Sequence, residues 1–383
     1  MGRKVIIIGP AYPLRGGIAN FNEALYRAYE KAGASVQIVS FSVQYPSILF
    51  PGKSQVESDS RPEPGLRIQS LIHSLNPATW LRTARYINKQ KPDYVVVRFW
   101  LPFMAMSLGS VLRFLKKDIR IIALVDNAIP HEKRPGDGLL TRYFMSRPQG
   151  FVTMSKSVLN DLSRFTKSSN KCFIPHPVYD IYGEPVPMKE ARDTLGLSQE
   201  DKVLLFFGFV RKYKGLNLLL DAMADPRLEA MNVKLIVAGE FYEHSGVYLN
   251  QIEQNNLTER VILHNHFIPA EDIARYFGAA NMVAQTYLSA TQSGVTQIAY
   301  YFGRPMLVTD VGGLAEIVPH KQAGYVCQQT AIDVADAVVD FFEQNREPEM
   351  ARFVQSKAPE FSWEAMVNGI EELFSNLVSD DKK

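Results

Sequence analysis

Leu205-Phe-Phe-Gly208-Phe-Val-Arg211-Lys-Tyr-Lys214-Gly215-Leu-Asn-Leu-Leu-Leu220 runs from an apolar stretch, through a loop of glycines and cations, into a second apolar stretch. Read as strand, loop and helix, it forms one βα unit. The loop holds three cations, Arg211, Lys212 and Lys214, just ahead of a helix N-terminus whose dipole opposes them. An anionic ligand resolves that conflict, because Arg offers phosphate a planar fork and Lys a compact charge. The alternative is a solvated basic loop with no ligand.

Outward from this unit the same pattern recurs. Short apolar, mostly β-branched runs lie at 5–8, 36–39, 94–97, 119–125, 150–154 and 171–174, and again at 203–207, 234–237, 261–263, 282–284, 306–308 and 324–326. They are apolar throughout rather than alternating, as parallel strands covered on both faces are. Helical patterns separate them. In 18–32, Ile18, Phe21, Leu25 and Ala28 or Tyr29 share one face. Alternating strand and helix predicts a doubly wound α/β architecture, and two such series predict two Rossmann-like domains facing each other across an interdomain cleft. Four prolines within 175–187 exclude regular helix or central strand and mark the boundary. The expected domains are 1–177 and 178–362, with a C-terminal helix at 363–383 packing back onto the first.

Composition narrows the function. The 383 residues include 42 basic and 40 acidic side chains, a net charge of +2, so no global excess of positive charge points to nucleic acid. Hydrophobic residues make up 46%, which excludes a disordered or fibrous chain. Two distant cysteines, Cys172 and Cys327, build neither a disulfide framework nor a four-ligand zinc site. The apolar run at 5–8 is too short for a signal-peptide core. The charge-free stretch 99–112 falls short of the roughly 20 residues that span a bilayer and reads as a buried helix. A soluble, cytoplasmic chain is expected.

Further segments carry the anion-binding pattern. After the first strand run, Gly16-Gly17 opens a helix, in a loop too long for the three-glycine dinucleotide fingerprint. What remains is either a helix N-terminus that favours an anion or a plain loop with a glycine cap. Ser293-Gly294-Val295-Thr296 opens another apolar helix in the same way, and Gly312-Gly313, ahead of Glu316, allows a further close backbone approach.

Taken in order, these segments resemble the retaining glycosyltransferases of family 4 (glycosyl transferases group 1), which have the GT-B fold of two facing Rossmann domains. The likeness rests on Arg15-Gly16-Gly17, Phe206-Phe-Gly208 with Arg211 and Tyr213-Lys214-Gly215, Gly294-Val295 with Gly303-Arg-Pro305, Thr309-Asp-Val-Gly-Gly-Leu-Ala-Glu316, Ile174-Pro-His-Pro177 and Phe361-Ser-Trp363. It implies transfer of a sugar from a UDP- or GDP-sugar to a glycan or lipid-linked acceptor, with retained anomeric configuration, in surface polysaccharide or glycolipid synthesis. The second domain would bind the nucleotide-sugar donor and the first the acceptor. Arg211 and Lys214, both expected at the surface, would neutralise the leaving diphosphate. Gly16, Gly17, Gly208, Ser293, Gly294, Val295, Thr296 and Glu316 would surround the donor. No Asp-x-Asp motif occurs, so neither a metal nor another cofactor is expected.

The chain departs from that family's pattern in two places. Two glutamates with seven residues between them often flank the third segment. Counted back from Gly312-Gly313, their positions hold Ala290 and Ile298. Relatives also often carry His-Asn after the strand at 119–125, where this chain has Val125-Asp126-Asn127 followed by His131 and Glu132. Asp126 and His131 are the expected catalytic residues of the first domain. A carboxylate there could take the acceptor hydroxyl's proton, and so could the departing phosphate.

Basic residues beside aromatic ones, as in Arg113-Phe-Leu-Lys116-Lys117 and Trp80-Leu-Arg82, suit peripheral contact with the inner face of the plasma membrane, or else a core helix with a solvated face. Other twin-Rossmann functions are a nucleotide-sugar epimerase or phosphorylase and a non-catalytic sugar-binding protein. A pyridoxal-dependent phosphorylase needs a dedicated lysine, and none stands out. An exported binding protein needs a signal, and none is visible.

Overall fold

A computed structural model describes residues 2–14, 16–45, 65–130, 134–178, 182–242, 245–290 and 293–380. The chain divides into two units, Met1–His176 together with Trp363–Lys383, and Pro177–Ser362.

The first unit is built on β1 (Lys4–Ile8), β2 (Ser35–Val43), β3 (Ile68–His73), β4 (Tyr94–Phe99), β5 (Arg120–Val125), β6 (Gly150–Thr153) and β7 (Lys171–Phe173). They pair in the order β3-β2-β1-β4-β5-β6-β7, every pair parallel. The direction of winding reverses between β1 and β4, and ligands of such sheets bind beyond the carboxyl ends of the strands at that switch point. Alternate residues of β1 face opposite layers. Ile6 and Ile8 pack with Trp80, Ala84 and Ile87 of the helix Pro77–Gln90 and with Leu108, Val111 and Leu112 of the helix Ala105–Arg113. Val5 and Ile7 pack instead under the helices Gly17–Lys31 and Trp363–Asp380. The terminal helix places Met366, Val367, Ile370, Leu373, Phe374 and Leu377 in that layer, all buried. It is also pinned by a polar contact, since the Tyr94 hydroxyl donates to Glu371 Oε1 at 2.6 Å and lies 3.0 Å from the Tyr29 hydroxyl.

The second unit repeats the plan. Its strands are β8 (Lys202–Phe207), β9 (Val233–Ala238), β10 (Val261–His264), β11 (Met282–Gln285), β12 (Met306–Thr309) and β13 (Gly324–Cys327), in the order β10-β9-β8-β11-β12-β13, again all parallel. Here the switch point lies between β8 and β11. The helix Leu216–Met223 after β8 packs with Leu204, Phe206, Leu235 and Val237 on one face. The helix Gly294–Tyr301 after β11 packs with Leu205, Phe207, Val283 and Val308 on the other.

One strand departs from the sequence expectation. β3 reads Ile-Gln-Ser-Leu-Ile-His, is exposed at Gln69 and Ser70, and lies at the sheet edge. It lacks the unbroken apolar run that marks strands covered on both faces. The charge-free stretch 99–112 is the end of β4, a 3-10 turn at Pro102–Met104 and most of the helix Ala105–Arg113, with Leu108, Val111 and Leu112 fully buried. No described helix is long and apolar enough to cross a membrane.

Candidate functional site

In the second unit, the loops after β8 and β11 meet at the switch point. Gly215 has φ +67°, and a Cβ there would come within 1.9 Å of the Thr286 carbonyl oxygen, so the two loops approach more closely than any side chain allows. Thr286 Oγ1 donates to the Gly215 carbonyl at 2.8 Å, and the Leu288 N–H donates to the Tyr213 carbonyl at 2.7 Å. These bonds fix the 3-10 turn Lys212–Lys214 and turn Lys214 inward. A Cβ on Gly208, where φ is +89°, would lie 3.0 Å from Lys214 Nζ and 3.9 Å from Val295 Cγ2. The missing side chain of Gly208 is thus the space the ammonium occupies.

Lys214 is only 9% exposed, contrary to the surface position expected from sequence. Among the described residues no carboxylate pairs with it. Its ammonium lies over the Tyr287 ring, 5.7 Å from the centroid. Burial, reinforced by the neighbouring Arg211 charge, lowers its pKa from 10.5 to about 8. Arg211 is exposed, and its guanidinium carbon lies 4.3 Å from the Tyr242 ring centroid.

The helix Gly294–Tyr301 completes this cluster. Ser293 is its buried N-cap: Ser293 Oγ accepts from the Val295 N–H at 3.2 Å and lies 3.1 Å from the Tyr287 hydroxyl. The Thr296 N–H donates to the Ser293 carbonyl at 3.2 Å. Among the described residues the Gly294 N–H has no partner, and a Cβ at Gly294 would meet nothing within 4 Å. A bare backbone donor at a helix N-terminus, beside a buried ammonium, is suited to an oxyanion. The Thr296 hydroxyl faces away, donating to Gln285 Oε1 at 3.0 Å in the core. Ile298 is a core residue and Ala290 packs against the same core, so apolar packing occupies the two positions at which the family resemblance implies a glutamate. Glu316 lies in the short helix Leu314–Ile317 after β12, half-buried.

In the first unit, Gly16 and Gly17 open the helix Gly17–Lys31, and a Cβ at either would meet nothing within 4 Å. Asp126 follows β5 and is not a free carboxylate. Arg98, the penultimate residue of β4, donates from Nε to Oδ2 at 2.6 Å and from Nη2 to Oδ1 at 2.5 Å. The Arg98 guanidinium also covers the Phe21 ring at 4.0 Å. Burial raises the Asp126 pKa, and Arg98 opposes that shift. His131 lies outside the described residues. Arg98 was missed from sequence, although a lone charge in Val-Val-Val-Arg-Phe, a strand buried at every position, calls for a partner. Tyr242 and Tyr287 gave no such signal. Among the described residues, no group of three or more His, Cys, Asp or Glu side chains is arranged to hold a metal ion.

Comparison with known proteins agrees with this geometry. Residues 201–344, which include both loops of the switch point, match the family model of glycosyl transferases group 1. The N-acetyl-alpha-D-glucosaminyl L-malate synthase of Bacillus anthracis is 23% identical over 63% of this chain and 64% of its own length. The D-inositol 3-phosphate glycosyltransferase of Segniliparus rotundus is 28% identical over 61% of this chain and 48% of its own length. The chain thus matches about half to two thirds of these relatives. Among solved structures, a glycosyltransferase from Rickettsia africae superposes with a TM-score of 0.73 at 14% identity, covering 98% of this chain and 99% of that one. HepE from Anabaena in complex with UDP-glucose gives 0.67 at 15% identity, covering 98% and 100%. The two Rossmann-like sheets are those of the GT-B fold, and within the second unit residues 201–344 are similar to the glycosyl transferases group 1.

Proposed function

We propose that this chain is a retaining, metal-independent family 4 glycosyltransferase. It moves a sugar from a UDP- or GDP-sugar to a glycan or lipid-linked acceptor in surface polysaccharide or glycolipid synthesis. One observation carries the reading: a buried lysine without a carboxylate partner among the described residues, next to an open helix N-terminus at a switch point. A nucleoside diphosphate supplies the missing negative charge. As the glycosidic bond breaks, charge grows on the departing diphosphate, and Arg211, Lys214 and the Gly294 N–H stabilise it. The acceptor hydroxyl's proton passes to that diphosphate, with Asp126, held by Arg98 through both oxygens, as the other group able to accept it. Exposed Phe114 beside exposed Lys116 and Lys117 supports peripheral contact with an anionic membrane.

Titration calorimetry tests the donor reading. UDP or GDP is expected to bind with the same affinity in excess chelator as with magnesium or manganese, and a strict metal requirement would refute the proposal. Below about pH 8 Lys214 is already protonated. Above that pH, binding must restore its proton, so affinity should fall by up to about tenfold per pH unit and the heat should vary with the buffer's ionisation enthalpy. An affinity that stays level through about pH 7–10 would remove Lys214 from the site.

A further inference from the structure

We propose that Tyr242 is a positioning residue for Arg211, its ring face holding the guanidinium ready for the diphosphate; the inference rests on the donor reading above. Arg211 is exposed and, among the described residues, paired with no carboxylate. What it does touch is the Tyr242 ring, 4.3 Å from its guanidinium carbon. The backbone fixes that ring. Beyond the ends of β8 and β9 the two segments stay joined: the Val210 N–H donates to the Glu240 carbonyl at 2.9 Å, and the Tyr242 N–H donates to the Val210 carbonyl at 3.1 Å. Val210, fully buried, also forms a parallel bridge with Phe241, whose N–H donates to Asn265 Oδ1 at 3.1 Å. Phe209 braces the outer side, its centroid 4.8 Å from that of Tyr242 in an edge-on contact.

The chemistry explains why a ring serves better than a carboxylate here. A carboxylate would occupy the guanidinium's donors and compete with the diphosphate. An aromatic face attracts the cation through its quadrupole and leaves the N–H edge available to phosphate oxygens. Tyr242 is 58% exposed, so its replacement should leave folding nearly intact.

The test is calorimetry with UDP and GDP on wild type, Arg211→Ala, Tyr242→Leu, Tyr242→Phe and the double variant Arg211→Ala with Tyr242→Leu. Tyr242→Leu should weaken binding about two- to fivefold, the size of an exposed cation–π contact. Tyr242→Phe should bind like wild type, because it keeps the ring. In the Arg211→Ala background, Tyr242→Leu should cost nothing further. An unchanged affinity in Tyr242→Leu, a loss in Tyr242→Phe, or a full additional loss in the double variant would overturn the assignment. If Arg211→Ala itself binds normally, Arg211 has no part in holding the diphosphate and the role of Tyr242 falls; if the wild type binds neither UDP nor GDP, the donor reading falls as well.

Discussion

Lys214→Met should cut turnover roughly ten- to a hundredfold while raising the thermal midpoint, once a donor and acceptor are in hand. A hydrogen bond to a charged group is worth about 1.5–3 kcal/mol, which sets the size of the loss if this cation is the one proposed to meet the leaving diphosphate. The stability gain follows from the same geometry. A lysine 9% exposed, with its pKa lowered from 10.5 to about 8, carries a charge that folding disfavours. Removing it recovers at most on the order of 3 kcal/mol at neutral pH, with methionine filling nearly the same volume. The pH dependence has a definite sign. The unfolded chain keeps this proton to about pH 10.5 and the folded chain only to about 8. Unfolding therefore takes up a proton in that window, and wild-type stability rises there relative to Lys214→Met. Denaturant titrations across the window read the difference directly. Normal turnover, or a large drop in midpoint, would show that Lys214 is a structural residue rather than a ligand-binding one.

Deleting residues 363–383 should abolish folding of the first unit while leaving the second intact. Six buried apolar side chains of the terminal helix cover the face of β1, β4 and β5 that carries Val5, Ile7, Val96, Ile122 and Leu124. At about 1.5–3 kcal/mol for each buried side chain, their loss is comparable with the whole stability of a domain, about 5–15 kcal/mol. The Tyr94 hydroxyl would also lose its Glu371 acceptor and be left in an exposed apolar layer. Calorimetric melting should show one transition where the full chain shows the sum of both units. Two native-like transitions in the truncated protein would contradict the packing described here.

These outcomes depend on features of unequal legibility in the sequence. Strands with both faces covered announce themselves as unbroken apolar runs, so β1 and β8 could be placed from residues alone. β3 could not, because an edge strand with exposed Gln69 and Ser70 looks like a loop. The cluster of cations in the loop 208–215, set against a helix dipole, was readable from the residues alone. The burial of Lys214 was not readable, since it depends on Gly215 meeting Thr286, 71 residues away. The Arg98–Asp126 pair joins the ends of two adjacent strands across 28 residues, so Asp126 looked like a free carboxylate. That the Thr296 hydroxyl turns to Gln285 was not readable either, since the contact joins the helix start to a strand eleven residues earlier.

The most direct test of the central claim is a crystal structure of the protein with UDP or GDP bound. The diphosphate oxygens should lie within about 3.2 Å of Lys214 Nζ and of the Gly294 N–H, with the Arg211 guanidinium turned toward them. A nucleotide seated with its diphosphate away from both Lys214 and Gly294 would contradict the account.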